Sequence, residues 1–166
     1  MFGEKTYNVL DICDYIIRRC NELEYFVNYY KLCHYLYFSK ALFVSRYNRT
    51  LFKEKMYACD FGVVIPEVAH ALGHYYNSYI PDNYSLVFLF GGERTSPAKI
   101  RKEDSEKIDE VINLFRYHLM SDMCSIIQNQ KPWKAAYLNK LTEGMFCPCA
   151  EITDRAFRSY FREEQE

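Results

Sequence analysis

The chain has 166 residues, a formal net charge of −1 and 49% hydrophobic residues. That length predicts one domain with a sizeable core, and the composition excludes a disordered chain. The near-zero charge gives no general attraction to nucleic acid or to an anionic membrane.

Nucleic acid and membrane are therefore not expected partners. No apolar run approaches bilayer length, and acidic residues interrupt the N-terminal stretch where a signal peptide would need an apolar segment. The expected location is the cytoplasm. Seven cysteines, an odd number, fall mostly within apolar patterns. Free thiols acting as small hydrophobes are expected of them. Sixteen tyrosines and twelve phenylalanines supply large faces for a core and for a binding surface.

Asn8 is placed to cap a first helix, whose apolar positions Val9, Ile12, Cys13, Ile16, Ile17 and Cys20 follow a helical repeat. Asn28 opens a second helix, to about Val44, that is apolar on nearly all faces. Such a helix is predicted to be buried at the centre of the fold. Lys55 to Val64 reads as one short extended segment. Gly62 permits a turn there, Val63, Val64 and Ile65 favour extended backbone, and Pro66 starts a helix to about Asn77 with Glu67 in its first turn. Ile80 to Asn83 is a turn. Ser85 to Phe90 is a strand candidate, predicted to pair with Lys55 to Val64.

Further on, acidic residues open a helix over Glu103 to His118, with Ile108, Val111, Ile112, Phe115 and Leu119 as its stripe. Ser121 to Gln128 is another. Asn129 is expected to cap a short helix starting at Pro132 and stopped by Gly144. Thr153 caps the last helix, and the acidic tail frays. The periodicities predict a mainly α, single compact helical domain of about five to seven helices with a minor two-stranded β element.

Several residue groups bear on chemistry. Glu67, His70 and His74 have the spacing to share a metal on one helix face, although the order is not that of a zinc protease. The competing and preferred reading is a solvated polar face with Glu67 at the helix start. Cys147 and Cys149 can offer two thiolates, but no second pair follows, and two loop thiols are the simpler reading. Arg94, Lys99, Arg101 and Lys102 form a basic loop without a nucleic-acid-binding signature. No phosphate loop, nucleophile elbow or paired-carboxylate motif is present, so neither catalytic residues nor a cofactor is expected. Trp133, the single tryptophan, reads as a core anchor rather than an interface hot spot.

The segment YACDFGVVIPEV, Tyr57 to Val68, is similar to the central motif of the Panacea antitoxin domain, the SocA-like or GepA-like family of bacteria and phages. That motif runs roughly Ala-Trp-x-x-Gly-Pro-Val-x-Pro-x-Val. Ala58, Gly62, Val64, Pro66, Glu67 and Val68 match, while Cys59 and Val63 stand where the family has tryptophan and proline. KLCHYLYF resembles the family's Lys-Leu-x-Lys-Leu-Leu-Tyr helix through Lys31, Leu32, Leu36 and Tyr37. Leu51-Phe52, Pro132-Trp133 and the closing helix fall in the same order. The resemblance covers a core from about residue 8 to 162 and makes residues 1–166 one Panacea-like domain.

The resemblance implies a non-enzymatic antitoxin that neutralises a cognate toxin by direct binding, the toxin being encoded by a neighbouring gene. A toxin-covering surface needs aromatic anchors with a polar rim, and Tyr75, Tyr76, Tyr79 and Tyr84 are the candidates. The alternatives are a small metal-dependent enzyme using Glu67, His70 and His74, and an adaptor that delivers its partner to a protease.

Overall fold

The computed structural model describes residues 5–84, 96–143 and 150–163. The first helix, α1, spans Val9–Glu22, and the Asn8 side chain accepts a hydrogen bond from the Leu10 amide at 2.9 Å. Its predicted apolar stripe is buried throughout. The second, α2 (Tyr29–Tyr47), is capped by Asn28, which accepts from the Lys31 amide at 2.9 Å. Most of α2 is buried, and it packs against α1 and five later elements. It is the central helix predicted for an all-round apolar segment. It ends at Asn48, whose φ of 52° is a left-handed cap.

Lys55 to Val64 departs from the single extended segment predicted. It folds back on itself as a hairpin, with β1 (Tyr57–Cys59) antiparallel to β2 (Gly62–Val64). Cys59 faces Gly62 across a two-residue turn, Asp60–Phe61. Gly62, with φ of 107°, takes a backbone conformation that side chains other than hydrogen disfavour. The minor β element is thus this hairpin, and Ser85 to Phe90 lies outside the described residues.

Helix α3 (Pro66–Leu72) opens with its proline in the first turn and is shorter than predicted. Gly73 ends it, and a single 3₁₀ turn follows over Gly73–Tyr75. The remaining helices are α4 (Lys102–Phe115), α5 (Met120–Asn129), α6 (Lys131–Glu143) and α7 (Asp154–Glu163). Asn129 is the last residue of α5 rather than a cap for α6, and its side chain donates to the Ser125 carbonyl. One extended residue, Gln130, separates the two helices and accepts from the Tyr37 hydroxyl at 2.7 Å. Thr153 does cap α7, accepting from the Ala156 amide at 3.2 Å. The fold is mainly α, with seven α-helices and a two-stranded sheet among the described residues.

Burial extends to charged groups, and each has partners. Lys40 on α2 is buried; it donates to the Glu54 carbonyl, lies 3.6 Å from the Asp154 carboxylate and sits over the Phe52 ring. Asp104 is buried at the start of α4, where it accepts from Tyr7 at 2.6 Å and pairs with Arg49 and Arg101. Burial alone would raise its pKa, but the Tyr7 hydrogen bond and the two guanidinium groups outweigh it and hold the carboxyl below its ordinary range.

Asp104 therefore stabilises the fold as an anion above its unfolded pKa of 3.8, and that contribution is lost as pH falls through the lower folded value. Asp104→Asn is expected to cost about 3 kcal/mol at pH 7 by leaving Arg49 without its buried partner. Denaturant titrations should show the difference from the parent shrinking at pH 3 and below.

Candidate functional site

The Asp60–Phe61–Gly62 turn is held from three directions. From beneath, His34 on α2 lies 3.1 Å from the Phe61 carbonyl through its Nε2. A carbonyl only accepts, so Nε2 carries the proton and Nδ1 is the bare nitrogen. Nδ1 is buried and without a hydrogen-bond partner. Burial lowers the His34 pKa, with nearby Lys31 acting the same way against the Phe61 carbonyl, so the ring is neutral at pH 7. The packing is close: a Cβ added at Gly62 would lie 2.8 Å from His34 Nε2.

From the side, Trp133 on α6 donates its indole N–H to the Gly62 carbonyl. Its ring stacks on Tyr137 at 4.4 Å, and the Tyr137 hydroxyl donates to the Asp60 carboxylate at 2.6 Å. From α5, Gln128 donates to the Asp60 carbonyl at 3.0 Å. Trp133 and Pro132 are buried. Trp133 is thus an anchor, and what it anchors is the hairpin turn.

The other motif residues have structural places. Leu36 and Tyr37 are fully buried in α2. Lys31 reaches the Arg116 carbonyl at 3.4 Å and lies over the Tyr35 ring. Val64 is half-buried at the end of β2, and Pro66 and Glu67 are exposed where α3 begins.

What the pinned turn presents outward is Phe61, 64% exposed, resting on Tyr30 at 5.5 Å between ring centroids. Beside it runs the α1–α2 connection. Phe26 is 52% exposed and meets Tyr79, 66% exposed, at 5.4 Å. Tyr25 meets the exposed Tyr117 at 6.2 Å, and Arg116 lies over both rings while donating to the Tyr25 hydroxyl. Backbone hydrogen bonds from Tyr29 to the Tyr76 carbonyl and from Ile80 to the Val27 carbonyl tie the 76–80 segment along this connection. Tyr76, also exposed, belongs to it. Exposed acids, Glu22, Glu24, Asp60 and Asp82, occupy the same turns and connections.

The four tyrosines named from sequence divide. Tyr76 and Tyr79 reach solvent. Tyr75 is half-buried against the core, with the His74 ring tilted against it at 4.3 Å between centroids. Tyr84 points inward and donates its hydroxyl to the buried Asp14 carboxylate, so it is no surface anchor. Spacing alone does not point to Phe26, Tyr30 and Phe61: Phe61 meets Tyr30 only through the hairpin, and Phe26 meets Tyr79 across the 76–80 segment. The signal available was the Asp60–Phe61 turn beside Gly62, with an aromatic residue at its tip.

Glu67, His70 and His74 are all exposed, and the end of α3 at Leu72 takes His74 off the helical face the spacing assumed. Among the described residues no three His, Cys, Asp or Glu side chains are arranged to hold a metal ion. Cys13, Cys20 and Cys33 are buried, and burial raises all three thiols, Cys20 and Cys33 to about 12. None is an activated nucleophile. Arg94, Cys147 and Cys149 lie outside the described residues. Arg101 and Lys102 are committed to Asp104 and Glu106. No described helix is long and apolar enough to cross a membrane.

Fold and site together define a helical protein with a clamped hairpin whose tip exposes an aromatic side chain. A family model described as antitoxin SocA-like, Panacea domain, matches residues 32–134, more than half of the chain. The chain belongs to this family, and its match spans α2, the hairpin and Trp133. No curated protein and no solved structure matches it.

Gly62→Ala is expected to destabilise the protein by about 2 kcal/mol or more, through the positive φ and the contact with His34. Thermal or denaturant unfolding measures this. A second expectation concerns pH. The folded state binds a proton at His34 less readily than the unfolded state does. Stability is therefore full above the unfolded pKa of 6.5 and falls as pH drops through it. His34→Gln, which keeps a donor for the Phe61 carbonyl, should flatten the stability profile between pH 7.5 and 5.5.

Proposed function

We propose that this chain is the antitoxin of a toxin–antitoxin pair and acts in the cytoplasm as one Panacea-like domain. It neutralises a cognate toxin, the product of a neighbouring gene, by direct protein–protein binding. Family membership supports the antitoxin reading. The observation that carries direct binding is the clamped turn with the exposed Phe61 at its tip, resting on Tyr30, together with the exposed Phe26–Tyr79 pair. Interface hot spots are rigid aromatic anchors surrounded by a polar rim. A side chain displayed from a backbone held by three side chains, those of His34, Trp133 and Gln128, loses little entropy on binding.

Co-expression with the neighbouring gene tests the reading. Growth should be arrested by that gene alone and restored by this chain, and the two proteins should co-purify. Phe61→Ser and Tyr79→Ala should each weaken the complex by about 30-fold, the 2 kcal/mol typical of a hot spot. Arg46→Gln, about 24 Å along α2 from Tyr30 at 1.5 Å per residue, should leave it unchanged. Rescue accompanied by disappearance of the partner would replace this reading with the adaptor one. No toxicity and no complex would overturn it.

A further inference from the structure

We propose that α7 carries a second binding site, an arginine cradle for a run of phosphate groups. Arg155, Arg158 and Arg162 recur at helical spacing on one face of α7, and Ser159 lies between them. They line an open concavity of about 340 Å³, together with Ser159 and Glu163 alone. The opposite face carries Phe157, which is fully buried, and Phe161, which packs on the core.

Four features mark this face as built for an anion. The helix's own acids are engaged elsewhere: Asp154 with the buried Lys40 at 3.6 Å, and Glu163 with Lys131 at 3.2 Å. None of the three arginines makes an ion pair with a described residue. The Arg158 Nε is shielded from solvent and has no hydrogen-bond partner. Finally, the arrangement is unfavourable without a counter-charge. Arg155 sits in the first turn, at the positive end of the helix dipole, and like charges three and four residues apart repel.

The chemistry selects phosphate. Three guanidinium forks spread over about 10.5 Å of helix axis match successive phosphates better than one carboxylate. The Ser159 hydroxyl adds a donor for phosphate oxygens. No apolar side chain lines the concavity, whereas a protein partner would need an apolar anchor at its centre. Aromatic residues that could stack bases are absent from the lining, so recognition is of the phosphate backbone and independent of sequence. Single-stranded nucleic acid and a free polyphosphate chain both present this chemistry.

Fluorescence anisotropy of a labelled oligothymidylate tests the site, with inorganic tripolyphosphate as competitor. Saturable binding is expected at 50 mM NaCl. The slope of log affinity against log salt should be about −2, which corresponds to three phosphates on a single strand. The triple variant Arg155→Gln, Arg158→Gln, Arg162→Gln should bind at least tenfold more weakly with a flatter slope. A triple lysine variant, which keeps the charge, should retain the slope. Removing two exposed lysines elsewhere, Lys99→Gln with Lys102→Gln, should change neither. Competition by tripolyphosphate assigns the site to phosphate chains in general; binding that it fails to displace assigns it to nucleic acid. Wild-type-like binding by the glutamine triple variant, with its melting temperature unchanged, would overturn the proposal, as would no saturable binding by the wild type to either probe.

Discussion

The Gly62 turn is the point on which the rest of the structure bears. Two of its carbonyls, those of Phe61 and Gly62, are claimed by side chains from different helices, His34 and Trp133. A two-residue hairpin is marginal alone in water. Here the helices supply the directional contacts that the short ladder lacks. The arrangement requires glycine at position 62, because the backbone conformation and the His34 ring both exclude a side chain there.

The same clamp explains why a buried polar histidine is tolerated at the core. His34 gains one hydrogen bond and leaves Nδ1 bare. Leaving a buried acceptor unsatisfied costs about 1–3 kcal/mol. That cost is set against fixing the turn that carries the exposed Phe61. Asp104, by contrast, is fully satisfied, and it ties the residues following α2 to the start of α4. One buried polar group serves the frame, and the other serves the displayed turn.

Much of this was legible in the sequence, for identifiable reasons. Asn8, Asn28 and Thr153 are caps whose side chains act within three residues, so local chemistry locates them. The burial of α2 followed from its apolar periodicity on every face. The Lys55–Val64 sequence reads as a single extended segment because β-branched residues mark strands without marking where they reverse. Asn129 looked like a cap because capping residues also occur at helix ends, and only the Gln130 break distinguishes the two. The site was half legible. Tyr76 and Tyr79 were found as part of a tyrosine-rich segment, whereas Tyr84 belonged to that segment in sequence and to the core in space. Spacing cannot pair Phe26 with Tyr79 or Phe61 with Tyr30, since each contact joins distant elements.

The indole contact has a consequence for the order in which the molecule becomes itself. Gly62 and Trp133 are 71 positions apart in the chain. Contacts of such separation form late, after the loop between them has closed. During synthesis α1, α2 and the hairpin emerge first, yet the turn gains its lateral support only when α6 has left the ribosome and docked. The aromatic face thus acquires its fixed shape only after α6 has docked, and a truncated product ending before α6 would carry the same phenylalanine on an unsupported loop.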